Sequence, residues 1–106
     1  MSADRTSPQL DFTWDPVKAA SNVAKHAVTF AQAATVMLDP LALTVFDAAH
    51  SEFEQRWFTL GVAANGQLLA VSHTHSATSA DSARIRIISA RVATRKERAQ
   101  YESAPC

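Results

Sequence analysis

A stretch of nineteen residues near the carboxyl terminus constrains the fold most, because it contains the signals of a strand followed by those of a helix. It runs from Arg84 to Glu102 and reads RIRIISARVATRKERAQYE. Ile85 and Ile87 alternate with arginines, which is the period-two pattern of a half-buried strand. The pattern predicts a strand that ends near Ala90.

The second half of this stretch predicts a helix. Thr94 stands three residues before Glu97, a spacing that lets the Thr hydroxyl cap a backbone N–H while the Glu carboxylate reaches back to the cap residue. Six of the ten Lys and Arg residues of the chain lie between positions 84 and 98, against one acidic residue. The strand and the helix should therefore share a cationic surface, formed by Arg84, Arg86, Arg91, Arg95, Lys96 and Arg98.

The length and composition favour one folded domain. The chain has 106 residues, of which 47% are apolar and 19% charged, so it can bury a single core. We expect a disordered leader at 1–11, one domain at 12–102 and a tail at 103–106. No apolar run approaches the roughly 20 residues of a membrane span, and the amino terminus lacks the apolar core of a secretion signal, which predicts a cytoplasmic protein without membrane contact.

The formal net charge of zero conceals an asymmetry. Residues 1–54 contain three basic and seven acidic side chains, whereas residues 55–106 contain seven basic and three acidic ones. Such a split suits either a polyanion bound on one face or a charged protein partner, and it does not decide between them.

Two short helices are predicted before most of the sheet. The Asp-Pro pair at 15–16 combines a preferred N-cap with a preferred first helical residue, so a helix should run from there to about His26. Thr29 and Gln32 repeat the capping-box spacing, and the Asp-Pro pair at 39–40 should end the second helix. Short strands are expected on either side, at 12–14 and 41–46.

The strongest hairpin signal is the Asn65-Gly66 turn, which predicts that 56–64 pairs with 67–75 and that the second strand or a neighbour pairs with 83–90. A two-residue loop would place Phe58 opposite His73 and Arg56 opposite His75, all on one face. The small polar residues at 76–83 are expected to form a flexible link.

One possible site is a metal centre. His73 and His75 would point to the same side of a strand, and His26 or His50 could add a third ligand. The predicted neighbour Arg56 disfavours a bound cation there, and His73 could equally be a packed core histidine. We therefore predict no metal and no cofactor.

The alternative is metal-free cleavage of RNA. A base takes the proton of the 2′-OH, an acid protonates the leaving 5′-oxygen, and cations stabilise the phosphorane. The chain contains suitable side chains, although a basic strand and helix can also be a solvated face or a partner surface. The candidates are Lys25, His26, Glu54, Arg56, His75, Arg86 and Arg91.

Several motifs together resemble one known family, the BrnT toxins of bacterial type II toxin–antitoxin modules. The resemblance covers residues 12 to 102, and the combination of WDP, NxxKH and RIISAR is specific. The motifs are Phe12-Thr-Trp-Asp-Pro-Val-Lys18, Asn22-Val-Ala-Lys-His26, Asp39-Pro40, His50-Ser51, Glu54-Gln-Arg56, Gly61, Gly66-Gln-Leu-Leu69 and Ile85-Arg-Ile-Ile-Ser-Ala-Arg91.

The resemblance implies a RelE-like α+β fold, with two N-terminal helices packed on a small antiparallel β-sheet and a C-terminal helix. It also implies a ribonuclease that inhibits translation, is neutralised by a BrnA-type antitoxin in a hetero-oligomer, and meets DNA only through that antitoxin. An alternative is a catalytically degenerate toxin that serves as the antitoxin-binding half of a DNA-binding repressor complex. A third possibility is an adaptor whose basic helix contacts an acidic partner.

The predicted site residues combine the motif positions with His75 and the basic residues of the last strand and helix, which come from the residue pattern. The predicted catalytic residues are Arg56, His75, Glu54, Lys25, His26 and Arg86, and Ser89 also matches the motif. The predicted RNA-binding residues are Arg84, Arg91, Arg95 and Arg98. The chain has Ala27 where the family usually has Gly after Lys-His, so a turn that favours positive φ must accept a Cβ atom or change shape.

Overall fold

The computed structural model describes residues 9–103. Within this range a mixed sheet of six strands is combined with three α-helices and two short 3-10 helices at Val36–Leu38 and Ala48–His50. The elements are β1 (Gln9–Thr13), α1 (Pro16–His26), α2 (Phe30–Thr35), β2 (Leu43–Phe46), β3 (Trp57–Val62), β4 (Leu68–His73), β5 (Ser76–Ser79), β6 (Ser82–Val92) and α3 (Arg95–Ser103).

The predicted fold, two N-terminal helices on a small antiparallel sheet, is wrong. The strand order is β1-β6-β4-β3-β2, and β1 precedes both helices and pairs with β6 in parallel. β5 pairs with the first residues of β6 on the side opposite β1. The sheet is therefore larger than predicted and mixed, and the helices are interspersed with its strands.

The first strand was predicted at 12–14 and lies at Gln9–Thr13. In β1 the half-buried Leu10 and Phe12 alternate with exposed polar residues, and only five residues carry the pattern. The strand is stabilised by a partner more than seventy positions away, with Phe12 opposite Ile85. Residues 9–11, expected in the leader, thus belong to β1, whereas 1–8 and 104–106 lie outside the described residues.

The predicted starts of the first two helices are confirmed, because each depends on residues close together in the chain. Asp15 Oδ1 accepts a hydrogen bond of 2.8 Å from Val17 N at the start of α1. Thr29 and Gln32 form both hydrogen bonds of a capping box at the start of α2. The helices α1 and α2 pack on one face of the sheet, where the core contains Val28, Phe30, Ala33, Val36, Leu69, Val71, Ile85, Ile87 and Ala90.

The hairpin pairing is confirmed, but its register is wrong by one residue. Ala63 N donates to Gln67 O at 2.8 Å and Gly66 N to Ala63 O at 2.9 Å, so the loop has three residues, with Gly66 at φ +88°. Asn-Gly sequences fit both a two-residue turn and a three-residue loop with Gly in the left-handed region. The pairs are therefore Trp57 with His73 and Phe58 with Ser72.

The shifted register separates two predicted site residues. Extending the observed pairing by one position puts Thr74 opposite Arg56, so His75 falls on the other face of the hairpin. The predicted flexible link at 76–83 is also wrong, because β5 occupies Ser76–Ser79 and forms a hairpin with β6. None of the helices within 9–103 has the length and apolar character needed to cross a membrane.

Candidate active site

Four neighbouring cavities, of about 230, 320, 250 and 280 Å³, together outline a groove. They are neighbours because they share lining residues: Arg56 lines three of them, and Ile88 lines three. The groove lies between α1, the loop at 47–56 and β6. Its polar and charged lining includes Asp15, Lys18, Lys25, His26, Asp47, His50, Glu52, Glu54, Arg56, Arg86, Ser89 and Arg91.

A bulge in β6 forms the floor of the groove. Ile87 pairs with His73 and Ser89 pairs with Ser72, so Ile88 is an extra residue in the strand. A bulge bends its strand and redirects the neighbouring side chains. Ile88 and Ser89 consequently lie where the cavities beside α1 and beside the loop meet.

Asn22 attaches α1 to β6. Its side chain is 5% exposed, donates from Nδ2 to Ala90 O at 2.8 Å and to Val28 O at 2.9 Å, and accepts from Ala90 N at 3.0 Å. β1 pairs only with residues 82–86, so Asn22 supplies the hydrogen bonds that a neighbouring strand would give to Ala90. This attachment places Lys25 and His26 at the groove.

Ala27 ends α1 in the left-handed region, with φ 56° and ψ 31°. Its N–H donates to Val23 O at 2.9 Å, which closes the last turn of the helix. The chain thus keeps the backbone shape that glycine favours and accepts the Cβ atom there.

The loop at 47–56 is closed by hydrogen bonds between its two ends. Asp47 N donates to Arg56 O at 2.9 Å. Ser51 Oγ donates to Asp47 O at 2.6 Å and accepts from Arg56 N at 3.0 Å. These bonds fix the start of β3 relative to the 3-10 helix at Ala48–His50, so His50 and Arg56 line the same cavities.

Glu54 lies between two arginines of the groove. Its Oε1 accepts a hydrogen bond from Arg86 Nη2 and lies 3.8 Å from Arg56 Nη2. Arg56 Nε is buried and has no hydrogen-bond partner among residues 9–103. The Arg56 side chain is 33% exposed, so part of its guanidinium can be reached from solvent.

Arg91 is paired more completely than Arg56. Its Nη1 and Nη2 donate to the two carboxylate oxygens of Glu97, at 2.7 and 2.9 Å. The hydrogen bonds from Arg91 hold the pKa of Glu97 at about 2, and those same bonds raise the pKa of Arg91. Glu97 also accepts from Thr94 N at 2.9 Å, which confirms the capping box predicted for α3.

The structure brings most of the predicted site residues together. Lys25, His26, Glu54, Arg56 and Arg86 line the groove, as do two further positions of the motif, Ser89 and Arg91. Four predicted residues line none of the four cavities: His75, Arg84, Arg95 and Arg98. All four are exposed, and Arg98 Nη1 lies 3.8 Å from Glu102 on α3.

His73 is a core histidine with both ring nitrogens engaged, opposite Trp57 rather than Phe58 as predicted. Nδ1 lies 3.0 Å from Thr74 O and Nε2 2.7 Å from Thr59 Oγ1, and the ring is 3% exposed. A carbonyl can only accept, so Nδ1 carries the proton. Burial lowers the pKa of His73, which favours the neutral ring. Residues 9–103 contain no group of three or more His, Cys, Asp or Glu side chains arranged to hold a metal ion.

Two parts of the groove were missed as catalytic candidates. Lys18 lines two of the cavities, and its spacing of four and seven residues from Asn22 and Lys25 could have placed it on the same helix face. His50 was considered only as a third metal ligand, and Asp47 not at all. The two side chains are hydrogen-bonded at 2.9 Å and lie three residues apart in the chain. This spacing brings them together only because a 3-10 helix forms at Ala48–His50, and no sequence pattern indicated that helix.

Comparison with known proteins identifies the family of this chain. Residues 14–97 match the family model described as the ribonuclease toxin BrnT of type II toxin–antitoxin systems. The fold is similar to the crystal structure of the Brucella abortus ribonuclease toxin BrnT, with a TM-score of 0.58 and 21% identity over 82% of this chain and 100% of that one. No curated protein matches the chain. Because the family model spans most of its length, the chain belongs to the BrnT family of ribonuclease toxins, whose type II modules pair each toxin with an antitoxin.

Proposed function

We propose that this chain is an endoribonuclease that cleaves RNA in the groove without a metal ion and thereby inhibits translation in the cytoplasm. The observation that carries the proposal is Arg56, which lines three of the four cavities and keeps part of its side chain exposed there. The exposed part of this guanidinium can bind a phosphate, because guanidinium groups bind phosphate through several N–H groups at once.

The charges of the groove suit a phosphodiester backbone. Lys18 and Lys25 line its α1 side, and Arg56, Arg86 and Arg91 line the side of the loop and β6. In this proposal Arg56 and Arg86 stabilise the charge that develops on the phosphorane, and Arg91 binds a neighbouring phosphate. Lys25, His26 and Glu54 are candidates for proton transfer.

Metal independence is proposed from the donor set. The groove carries His26 and His50 on different elements, and the described residues offer no cluster of ligands for an ion. Cleavage through the 2′-OH needs only a base, an acid and stabilising cations, all of which the groove can supply.

The proposed partner is a BrnA-type antitoxin that forms a hetero-oligomer with this chain and covers part of the cationic surface, with DNA contacted only by the antitoxin. The membership in a type II toxin–antitoxin family supports an antitoxin partner. A co-encoded antitoxin should bind tightly at micromolar concentration and low salt. If the mixed proteins remained separate on size-exclusion chromatography under these conditions, this part of the proposal would be wrong.

A second candidate is a degenerate toxin that only binds its antitoxin within a repressor complex. Two carboxylates favour it, because Glu54 is bonded to Arg86 and Glu97 is bonded to Arg91, which reduces the positive potential available to RNA. Expression in cells without the antitoxin separates the two functions. Arrested growth supports the ribonuclease, and unimpeded growth at a high level of folded protein supports the degenerate toxin.

The test in vitro uses a labelled RNA, the matching DNA and an RNA with a single 2′-deoxy position at the cleavage site. The proposal predicts that only the unmodified RNA is cleaved, that the 5′ fragment ends in a 2′,3′-cyclic phosphate, and that EDTA has no effect. Cleavage of the DNA, or loss of cleavage in EDTA, would contradict it. Glu54→Gln tests the carboxylate: the rate falls if Glu54 transfers a proton, whereas RNA affinity rises with little change in rate if Glu54 only masks Arg86.

A further inference from the structure

The pair formed by Asp47 and His50 has the geometry of an oriented base at the groove. We propose that His50 is the general base that accepts the 2′-OH proton and that Asp47 is its positioning residue. This inference rests on the proposed ribonuclease function and assigns a residue pair to one step of it. It differs from the sequence prediction, which gave proton transfer to Lys25, His26, Glu54 and His75.

The hydrogen bond between the two side chains determines the tautomer of His50. Asp47 Oδ2 lies 2.9 Å from His50 Nδ1, and an ionised carboxylate can only accept. Nδ1 therefore carries the proton in the neutral ring, which leaves the lone pair on Nε2. Among residues 9–103 no protein group is bonded to Nε2, so this nitrogen is free to accept a proton from a ligand.

The backbone holds the pair in place. Asp47 directly precedes the 3-10 helix at Ala48–His50, whose single turn brings the side chains of residues 47 and 50 to the same side. His50 N donates to Asp47 O at 3.2 Å, and Asp47 O also accepts from Ser51 Oγ at 2.6 Å. The bond of Asp47 N to Arg56 O then fixes the pair relative to β3.

The surroundings of His50 match a phosphodiester site. His50, Arg56 and Ser89 line the cavity of about 320 Å³, together with Asp47 and Arg91. Glu52 and Glu54 line the adjoining cavity with His50, so we expect the phosphate on the side of Arg56 and Ser89, away from these carboxylates. His50 is 68% exposed at its side chain while Asp47 is 23% exposed, so the base is open to a substrate and its partner is more enclosed.

The proposed step is a transesterification. Nε2 of neutral His50 takes the proton of the 2′-OH, the 2′-oxygen forms a bond to phosphorus, and the bond from phosphorus to the 5′-oxygen breaks. The leaving 5′-oxygen takes a proton from protonated His26, which reaches the floor at Ile88 and Ser89 from the α1 side. Arg56 stabilises the extra negative charge on the phosphorane. The products are a 2′,3′-cyclic phosphate and a 5′-hydroxyl.

The first test is chemical rescue of His50→Ala in the full-length chain. General base catalysis typically contributes about 10²–10⁴-fold, so the rate of RNA cleavage should fall by that factor. Added imidazole should restore part of the rate, because it can take the proton in place of the missing ring. Arg56→Ala is the matched control: it should also lose activity but should not respond to imidazole, which cannot replace a guanidinium contact to phosphate.

The second test examines Asp47 through the tautomer of His50. In ¹⁵N spectra of the imidazole rings, neutral His50 should carry its proton on Nδ1 in the wild-type chain. Asp47→Asn should give a mixture of tautomers and lower kcat by about tenfold or more with little change in KM, because the misplaced proton blocks Nε2. Asp81→Asn, in the turn between β5 and β6 away from the groove, should change neither readout.

The outcomes separate this inference from the proposed function. A wild-type chain that cleaves RNA while His50→Ala retains full activity would overturn the role of His50 and leave the ribonuclease in place. A wild-type chain that does not cleave RNA would overturn both. Loss of activity in His50→Ala with imidazole rescue, together with the tautomer change in Asp47→Asn, would support the base and its positioning residue.

Discussion

Two arginines of the groove, Arg56 and Arg91, differ in how far their N–H groups are paired with other residues of the protein. At the start of β3, Arg56 has a buried Nε without a hydrogen-bond partner in the described part of the chain, and its Nη2 lies 3.8 Å from Glu54. Beside α3, both terminal nitrogens of Arg91 are bonded to Glu97. The exposed part of Arg56 thus remains open to a ligand, whereas Arg91 uses one N–H of each terminal nitrogen for Glu97 and has fewer left for a ligand.

The helix α3 is attached to the sheet mainly by polar contacts, since none of its described residues is fully buried. Glu97 binds Arg91, and Tyr101 OH donates to Asp39 Oδ2 at 2.5 Å. The same Asp39 oxygen accepts from Val62 N at 2.8 Å, so the carboxylate links α3 to β3. Cationic residues close in space can therefore differ in role: Arg56 is open to a ligand, whereas Arg91 stabilises α3 through Glu97 and also lines the groove.

The largest expected effect is on catalysis at Arg56. Removing one preorganised charge contact to a transition state typically costs about 10²–10³ in rate, so Arg56→Ala should lose that much in kcat. Arg91→Ala should instead weaken RNA affinity and reduce the salt slope by about one unit, because its contact is to a neighbouring phosphate. Single-turnover rates and salt titrations measure both. Equal losses of kcat in Arg56→Ala and Arg91→Ala would show that the two arginines do not differ in their catalytic role.

The next effect concerns stability at the α3 region. The pKa of Glu97 is depressed from 4.5 to about 2 by its bonds with Arg91, so the pair stabilises the folded chain fully above pH 4.5. This stabilisation should be lost as the pH falls from 4.5 towards 2. We expect about 1–2 kcal/mol, since the Arg91 side chain is partly exposed.

Denaturant unfolding of the wild-type chain and of Glu97→Gln, followed against pH, measures this contribution. The variant should be less stable at neutral pH and should lack the wild-type loss between pH 4.5 and 2. Parallel curves for the two proteins across this range would show that the ion pair does not stabilise α3.

The smallest effect is expected at Tyr101. Its hydrogen bond to Asp39 raises the pKa of the phenol to about 12 from 10.0, which means that folding favours the neutral ring. Tyr101→Phe should therefore cost about 1 kcal/mol near neutral pH. In the wild-type chain this contribution should be lost as the pH rises from 10 towards 12. Unfolding curves at neutral and alkaline pH measure it, and an unchanged stability in Tyr101→Phe would show that Asp39 is satisfied without the phenol.

The parts of the fold that the sequence could predict depend on neighbours in the chain. Asp15, Thr29 and Thr94 cap their helices as predicted, because each cap joins residues only two or three positions apart. The register of the hairpin failed because the Asn65-Gly66 sequence fits two loop lengths. The parallel pairing of β1 failed because its partner is distant in the chain and its pattern is short.

In the candidate site, too, some features could be predicted from the sequence and others depend on how distant parts of the chain pair. The motif positions Lys25, His26, Glu54, Arg56 and Arg86 meet in one groove, as their assignment to one site requires. The one-residue shift in the hairpin moved His75 away, and the bulge at Ile88 formed a floor that no alternation pattern could show. The hydrogen bond of Asp47 to His50 depends on a short 3-10 turn with no strong signal in its composition.

We expect RNA to bind in the groove between α1, the loop at 47–56 and the bulge of β6. An amide and side-chain NMR titration with a short RNA, made uncleavable by 2′-O-methyl groups, locates the bound RNA directly. The largest shifts are expected at His50, Arg56, Ile88 and Ser89, and small shifts at Arg84, Arg95 and Arg98. Shifts concentrated at the outer face of α3, with none at Ile88 and Ser89, would contradict it.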